Sequence, residues 1–222
     1  SKNRLKLKNT VKYSKSQSLQ DLFVLSCLNF KKKGFFVEIG AADGVYISNT
    51  FLLEKKFKWN GILAEPLKRF HKSLRYNRSA KIVTDLVYSV SNKKLLFREV
   101  PNSENSSVLF STIDHFSSND LHSKSRNKGK LYRLNTISLN DLLTKYRSTH
   151  VIDYLSIDTE GSEYEILKSV NFKKYIFKVI TCEHNYTKNR DKIYKLLTSN
   201  GYKRVLKEIS KEDDWYIYVK KF

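Results

Sequence analysis

Along this chain, short apolar runs alternate with longer segments in which apolar residues recur every three or four positions. The apolar runs predict strands at residues 35–40, 61–65, 81–89, 94–100, 131–135, 154–157 and 179–182. Helical spacing occurs at residues 19–28, 48–58, 67–74, 138–143, 162–170 and 191–199. A last pair of runs predicts a hairpin over residues 202–209 and 215–220. Strands that alternate with helices in this way predict a parallel, two-sided α/β sheet that ends in a hairpin.

Two segments break this alternation and set the predicted domain organisation. Residues 1–16 carry many basic side chains without apolar periodicity, so we expect a flexible basic arm ahead of one domain over residues 17–222. Residues 101–130 are rich in Ser and Asn, which predicts a polar insertion within that domain. A polar stretch of this length inside a compact domain is either functional or disordered.

The net charge of +20 at pH 7 favours anionic partners such as nucleic acid, an anionic membrane surface or an acidic glycan. A Lys-rich composition that serves solubility is the alternative, because no basic run interleaves with aromatic residues as a base-stacking surface would. No apolar run approaches the roughly 18 residues of a membrane span, and no secretion signal opens the chain. We therefore expect a cytoplasmic protein, with Cys27 and Cys182 as reduced thiols rather than part of a disulfide or zinc site.

The strand at residues 35–40 leads through an acidic turn with two glycines into a helix. Gly40 and Gly44 allow the backbone to turn sharply and to approach a ligand closely. A strand, a glycine turn and a helix form the crevice in which open α/β sheets hold nucleotide-like ligands. The turn has neither the full G-x-G-x-x-G pattern nor a Gly-Lys-Ser/Thr sequence, so a pyrophosphate cradle and a P-loop are both disfavoured.

Acidic side chains recur where the predicted strands end, namely at Glu38, Glu65, Asp85, Asp158, Glu160 and Glu183. Because the carboxyl ends of parallel strands meet at one edge of a sheet, we expect a ligand site there. Glu65 lies about 20 residues beyond Gly44, the spacing at which a carboxylate accepts hydrogen bonds from ribose hydroxyls. A cap for the helix after Pro66 is the alternative for Glu65, and Asp85 either accepts from an adenine amino group or lies in a simple turn.

Taken together, these segments resemble the FkbM family of S-adenosylmethionine-dependent methyltransferases. The strongest match is the run I-D-Y-L-S-I-D-T-E-G-S-E-Y-E-I-L at residues 152–167, followed by Glu183-His184-Asn185. Further matching segments lie at residues 36–45, 48–50, 61–66 and 138–143. The resemblance covers residues 17–220 and implies a Rossmann-like class I methyltransferase with a seven-stranded, mostly parallel sheet and a C-terminal antiparallel hairpin.

Carried over position by position, the resemblance also implies a site for S-adenosylmethionine. Its residues would be Glu38, Gly40, Ala41, Asp43, Gly44, Ser48, Asn49, Glu65, Pro66, Asp85, Leu86 and Asp158. Ser48 and Asn49 would hold the carboxylate of the cofactor or cap the following helix, and Glu65 would bind its ribose. Asp85 and Leu86 would flank its adenine.

Methyl transfer to a hydroxyl needs positioning and one group that takes the hydroxyl proton. The candidates for this group are His184, Asp158 and Glu160. His184 is the best base by its unperturbed pKa, although a lone histidine is as often structural, and Glu160 is also placed to cap the next helix. A divalent metal at Asp158 with Glu183 or His184 stays open, although no metal-ligand spacing requires one.

We therefore expect an O-methyltransferase that acts on a hydroxyl of a sugar, a glycan or another small metabolite, and an anionic acceptor is compatible with the charge. The insertion at residues 101–130 is the expected acceptor-side lid, in which His115, His122, Lys124 and Arg126 would meet the acceptor. The alternatives are a methyltransferase-like binding domain without catalysis and, from charge alone, a nucleic-acid methyltransferase.

Overall fold

Strands and helices alternate in the computed structural model, which describes residues 2–100, 111–116, 124, 129–146 and 149–220. The strands are β1 (Phe35–Ile39), β2 (Asn60–Ala64), β3 (Lys81–Val83), β4 (Leu86–Tyr88), β5 (Lys94–Glu99), β6 (Thr112–Ile113), β7 (Lys130–Ser138), β8 (Val151–Ile157), β9 (Ile176–Glu183), β10 (Tyr202–Val205) and β11 (Asp213–Tyr218). The helices are α1 (Lys2–Thr10), α2 (Gln20–Cys27), α3 (Phe51–Phe57), α4 (Lys68–Asn77), α5 (Leu139–Tyr146), α6 (Glu163–Lys168) and α7 (Asn189–Ser199).

The main sheet has seven strands in the order β10-β11-β9-β8-β1-β2-β3. Its strands are parallel except for β11, which runs antiparallel to both β9 and β10. This arrangement confirms the predicted seven-stranded, mostly parallel sheet with a closing hairpin. The chain leaves β1 toward β2 on one side and returns at β8 on the other, so a crevice opens at the carboxyl ends of β1 and β8.

Helices cover both faces of the main sheet, as the periodicity predicts. One face packs against α2, α3 and α4 through residues such as Leu25, Leu52 and Leu74. The other face packs against α5, α6 and α7 through Leu142, Ile166 and Leu197 in the same manner. Because side chains alternate along a strand, β1 sends Phe36 and Glu38 to the first face and its other buried residues to the second.

A second sheet, which the sequence pattern did not reveal, has the order β4-β7-β5-β6. The strand predicted at residues 81–89 is divided between the two sheets, β3 in the main one and β4 in the second. After the bend, Leu86 of β4 joins a separate apolar cluster, while Val87 still packs in the main core with Val83. In the sequence, a continuous apolar run looks the same whether it forms one strand or bends from one sheet into another.

Two further elements differ in extent from the sequence prediction. Residues 2–10 form helix α1 instead of an irregular arm, and this helix packs on the domain through Leu7 and through Lys6, whose Nζ lies 5.3 Å from the centre of the Phe30 ring. β7 continues to Ser138, whose Oγ accepts a hydrogen bond from the Asp141 N–H at 3.1 Å and so caps α5. Among the described residues, no helix is both long and apolar enough to span a membrane.

Candidate active site

A cleft of about 410 Å³ lies at the carboxyl ends of β1, β2, β8 and β9, where the sequence predicts a ligand site. Its volume falls in the usual range for small-molecule sites, about 300–1,000 Å³. Of the expected cofactor and catalytic residues, the cleft wall contains Glu38, Gly40, Ala41, Ser48, Asn49, Glu65, Pro66, Leu86, Asp158 and Glu160. The sheet therefore brings most of the predicted site into one cavity.

The turn after β1 has a backbone that only glycine can supply at its first position. Gly40 has a φ of +89°, and a Cβ atom there would lie 1.9 Å from the backbone oxygen of Asp158. This close approach joins the loops that follow β1 and β8, and it places both loops on the cleft.

Glu65 ties this turn to the next strand end. Its Oε2 accepts a hydrogen bond from the Ala42 N–H at 2.8 Å, and its Oε1 accepts one from the Leu67 N–H at 2.8 Å. Each carboxylate oxygen can accept a second hydrogen bond, so Glu65 can still receive ligand hydroxyls in the cleft. Burial raises the pKa of Glu65 to about 7, against the two N–H donors that lower it.

Glu38 lines the cleft, but its carboxylate oxygens are hydrogen-bonded to the loop at residues 48–50. It accepts hydrogen bonds from the Asn49 N–H at 2.7 Å, the Thr50 hydroxyl at 2.5 Å and the Ser48 hydroxyl at 3.1 Å. Burial raises the pKa of Glu38, whereas the nearby Arg78 guanidinium lowers it. Glu38 thus shapes the wall that a ligand meets.

Arg78, at the end of α4, organises the same loop and is a residue that the sequence reasoning missed. Its side chain is fully buried, donates to Glu54 Oε2 at 2.9 Å and lies 3.7 Å from Glu38. It also donates to the backbone oxygen of Gly44 at 2.9 Å and to the Thr50 hydroxyl at 2.8 Å. Because α4 contains several exposed basic residues, the sequence gives no sign that Arg78 differs from them by being buried.

Gly44 packs directly against this arginine instead of facing the cleft. A Cβ atom at Gly44 would lie 2.7 Å from Cγ of Arg78, and the glycine has a φ of +79°. Asp43 accepts hydrogen bonds from the N–H groups of Val45 and Tyr46 and so holds the turn in shape. Neither residue belongs to the cleft wall, nor does Asp85.

Asn49 presents an unused acceptor to the cleft. Its Nδ2 donates to the Ser156 hydroxyl at 3.0 Å, whereas its buried Oδ1 has no hydrogen-bond partner among the described residues. A buried polar atom without a partner is costly to fold, so a ligand N–H or ammonium group is its natural complement.

Three carboxyl groups meet on the side of the cleft formed by the ends of β8 and β9. One oxygen from each of Asp158, Glu160 and Glu183 lies within 4.8 Å of the others. Burial raises the pKa of both Asp158 and Glu183. A hydrogen bond with Glu183 lowers the pKa of Asp158, whereas the charge of Asp158 raises that of Glu183 further. Glu163 holds the turn between β8 and α6 by accepting from the Thr159 N–H at 2.8 Å and the Gly161 N–H at 3.1 Å.

His184 follows Glu183 but does not line the cleft. The buried ring accepts a hydrogen bond from the Tyr186 N–H at Nδ1, and its Nε2 lies 3.9 Å from Asp214 Oδ1. Burial and then the charge of Arg190 lower the pKa of His184. The ends of β8 and β9 bring the carboxylates together in the cleft, whereas the His184 ring lies off the cleft wall, next to Tyr186.

The described part of the polar insertion forms part of the cleft wall through Ser111 and Ile113. The Thr112 hydroxyl donates to the backbone oxygen of Glu160 at 2.8 Å, which fixes this piece to the carboxylate cluster. Of the predicted acceptor contacts, His115 is exposed with its ring edge-on to Tyr88, and Lys124 is also exposed. His122 and Arg126 lie outside the described residues.

The cleft has the opposite charge from the protein as a whole. Its described wall contains six acidic residues and no Lys, Arg or His; the acidic ones are Glu38, Glu65, Asp158, Glu160, Glu183 and Glu212. In a chain of net charge +20, this contrast favours a cationic ligand over a phosphate in the cavity.

Comparisons with known proteins agree with this fold. A family model described as the methyltransferase FkbM domain matches residues 38–204, and no curated protein matches the chain. A solved methyltransferase FkbM from Methylobacillus flagellatus KT is 10% identical, with a TM-score of 0.50, and the match covers 98% of this chain and 59% of that one. A solved METTL16 methyltransferase domain is 12% identical, with a TM-score of 0.50, and the match covers 90% of this chain and 66% of that one.

A precorrin-6y C5,15-methyltransferase from Geobacter metallireducens GS-15 is 11% identical, with a TM-score of 0.46, over 86% of this chain and 77% of that one. At these identities, the two solved structures with a TM-score of 0.50 show the Rossmann-like class I methyltransferase fold alone. This chain spans less than two thirds of the length of the M. flagellatus protein and of the METTL16 domain.

The buried position of Arg78 gives a stability prediction. Arg78→Met leaves Glu38 buried without its cation and Glu54 with only the partly exposed Lys55, so we expect the free energy of unfolding to fall by about 3–5 kcal/mol. Arg75→Met, one turn earlier on the exposed face of α4, is the matched control and should change it by less than about 0.5 kcal/mol. Urea unfolding followed by circular dichroism measures both, and equal effects of the two variants would contradict the assigned role of Arg78.

Proposed function

The chain belongs to the FkbM methyltransferase family, and from that premise we propose that it transfers the methyl group of S-adenosylmethionine to a hydroxyl of a sugar, a glycan or another small metabolite. The observation that carries the proposal is the acidic cleft, which has a hydrogen-bonding wall around Glu65 and Asn49 and a carboxylate cluster opposite. S-adenosylmethionine carries a sulfonium cation and a ribose, which are the groups that such a wall complements.

The residues of the cleft fit this cofactor on several grounds. Glu65 offers carboxylate oxygens to the ribose hydroxyls, and Asn49 Oδ1 offers its unused acceptor to the ammonium group of the methionine part. Leu86 and Phe70 provide apolar wall for the adenine. When bound, the cofactor supplies an electrophilic methyl group with a neutral thioether as the leaving group.

The chain must then position the acceptor and receive its hydroxyl proton. We assign that proton to the cluster of Asp158, Glu160 and Glu183, because these carboxyl groups line the cleft whereas the ring of His184 does not. His184 instead acts as a positioning residue, because its Nδ1 accepts from the Tyr186 N–H and so shapes the loop after β9.

The nature of the acceptor is supported by what the wall offers. Sugar hydroxyls donate hydrogen bonds to carboxylates, and the described wall has six acidic residues and no basic side chain to pair with a phosphate or nucleic-acid backbone. Ser111 and Ile113 place part of the polar insertion beside the cluster, which supports its role as the acceptor-side lid.

Two measurements test the proposal. Calorimetric titration with S-adenosylhomocysteine should show one saturable site per chain, and failure to bind at millimolar ligand would overturn it. Incubation with methyl-labelled S-adenosylmethionine and fractionated cell extract should label a glycan or small-metabolite fraction. Binding without transfer to any fraction would favour a non-catalytic binding domain, and label in a nuclease-sensitive fraction would favour a nucleic-acid methyltransferase.

The raised pKa of Glu65 gives a pH prediction for cofactor binding. Ribose hydroxyls bind the ionised carboxylate more strongly than the protonated one, so the bound state favours loss of the proton. We expect the affinity for S-adenosylhomocysteine to rise from pH 6 to pH 8 as Glu65 ionises through its pKa of about 7. Glu65→Gln should weaken binding at pH 8 at least about tenfold and should flatten the pH dependence.

Calorimetry at several pH values measures the affinity for S-adenosylhomocysteine. Glu208→Gln, an exposed control, should leave the affinity at pH 8 and its pH dependence unchanged. An affinity of the Glu65→Gln variant that equals that of the parent protein at pH 8 would remove Glu65 from the ribose site.

A further prediction concerns the carboxylate cluster. Asp158→Asn removes one acceptor of the hydroxyl proton, so we expect turnover at saturating donor to fall by about 10²–10⁴-fold. Asp191→Asn, an exposed change at the start of α7, should leave turnover unchanged. Transfer of labelled methyl groups measures both variants, and full activity of Asp158→Asn would exclude Asp158 from the reaction.

A further inference from the structure

A second cavity, which we call the apolar groove, lies between α1, α2 and the turn that joins β10 to β11. Its volume is about 810 Å³, which suits a small-molecule ligand. The floor of the groove consists of the buried side chains of Leu22, Phe23 and Trp215. The rings of Phe23 and Trp215 stack with their centres 4.6 Å apart. The groove therefore has a packed, apolar floor on which a ligand can rest.

The rim of the groove exposes apolar side chains to solvent. Between 43% and 57% of the surface is exposed for Val11, Leu19, Leu206 and Ile209. Leu19 has a φ of +64° and Leu206 a φ of +54°, a left-handed backbone that leucine rarely adopts. Clustered exposed apolar residues and a costly backbone conformation are both typical of ligand sites. The rim thus indicates that an apolar ligand fills the groove.

The groove meets the acidic cleft at Gln17, whose exposed side chain lines both cavities. The preceding residue, Ser16, forms a parallel β-bridge with Ile47 of the cleft wall. On the other side, Gln20 Nε2 donates to Asp213 Oδ2 at 2.8 Å. These contacts fix the segment that separates the two cavities. One elongated ligand can therefore reach from the cleft into the groove across Gln17.

The two cavities complement the two ends of an amphiphile. The acidic wall of the cleft offers hydrogen-bond acceptors to hydroxyl groups. The described wall of the groove has no acidic residue, and its charged side chains are the exposed Lys8 and Lys211. An alkyl chain gains free energy when it leaves water for such a wall. The two ammonium groups favour the tail of an anionic or uncharged molecule over that of a cation.

From this arrangement we propose that the groove binds an alkyl chain carried by the methyl acceptor, so that the acceptor is a glycolipid or another hydroxylated metabolite with an alkyl tail. The identity of the tail's carrier as the acceptor rests on the proposed function, whereas alkyl binding in the groove does not. The hydroxyl lies in the cleft beside the carboxylate cluster, and the tail lies over Phe23 and Trp215. A bound tail restricts the motion of the hydroxyl before transfer and so helps to position it.

The first test uses a bromine-labelled undecanoate as the probe, because bromine quenches the fluorescence of a tryptophan that it contacts. Of the two tryptophans in the chain, Trp215 lines the groove and Trp59 does not. We expect saturable quenching in the parent protein and its loss in Trp215→Phe. Decyl maltoside should displace the probe, whereas maltose should not. Among alkyl maltosides, affinity should rise by up to about fourfold for each added CH₂ group.

Variants on the rim place the bound probe in the groove. Val11→Glu and Ile209→Glu each add a carboxylate to the groove wall at an exposed position, so we expect probe binding to weaken at least about tenfold. Val219→Glu, the same kind of change at an exposed site outside the groove, should bind the probe as the parent protein does. Thermal unfolding of each variant checks that the fold is kept.

The second test follows the methyl-labelled product from fractionated cell extract. We expect the label to partition into chloroform–methanol, because the product keeps its alkyl tail. At limiting acceptor, Val11→Glu should form this product at least about tenfold more slowly than Val219→Glu does. Labelled product confined to the aqueous phase would overturn the assignment of the tail to the acceptor.

Absence of saturable quenching would overturn the proposal, as would equal probe binding by the rim variants and the parent protein. Binding to phosphatidylglycerol vesicles without quenching by the single-chain probe would replace it with a membrane contact. A dimer that Val11→Glu dissociates, again without quenching, would replace it with a second copy of the chain. Titration with S-adenosylhomocysteine separates these failures from that of the proposed function. Probe binding without cofactor binding would remove the methyltransferase and acceptor assignments and leave the alkyl site.

Discussion

The buried contact of Arg78 with Glu38 and Glu54 is the interaction on which the shape of the cleft depends. Glu38 lies on β1 and Arg78 at the end of α4, so their contact joins the sheet to a helix across the loop that forms one wall. The same guanidinium donates to the backbone oxygen of Gly44, and the Glu38 carboxylate accepts from the Asn49 N–H. A loop held at both ends by buried charges cannot move without leaving one of them buried and unpaired, which costs several kcal/mol. The ligand wall is therefore rigid before any ligand arrives.

The second constraint is the collection of carboxyl groups at the carboxyl ends of the strands. Parallel strands meet at one edge, so the acidic residues that end β1, β2, β8 and β9 are forced into one cavity. Burial and mutual repulsion raise the pKa of Glu65, Asp158 and Glu183. Such a cavity gains free energy when a cation enters it, which favours the sulfonium group of the proposed cofactor.

The sequence predicted the strands of the main sheet well because their apolar runs are short, buried and separated by periodic helices. It also identified Glu65, Asp158 and Glu160 as cleft residues, because an acidic residue directly after a buried strand has only one edge of the sheet to occupy. It could not identify Arg78, since burial of one basic residue among many depends on how α4 meets β1. It could not orient His184 either, because the residue after a strand end faces the cleft or the far side according to the turn that follows.

The order of strands and helices, the family and the sheet edge at which the acidic residues gather could all be predicted from the chain alone. These features follow from local periodicity and from motifs that are contiguous in the chain. Three features could be learned only from the folded molecule: residues 81–89 divide between two sheets, Arg78 is buried, and the ring of His184 lies away from the cleft. These features depend on contacts between residues that are distant in the chain, and no local pattern records the free energies of such contacts.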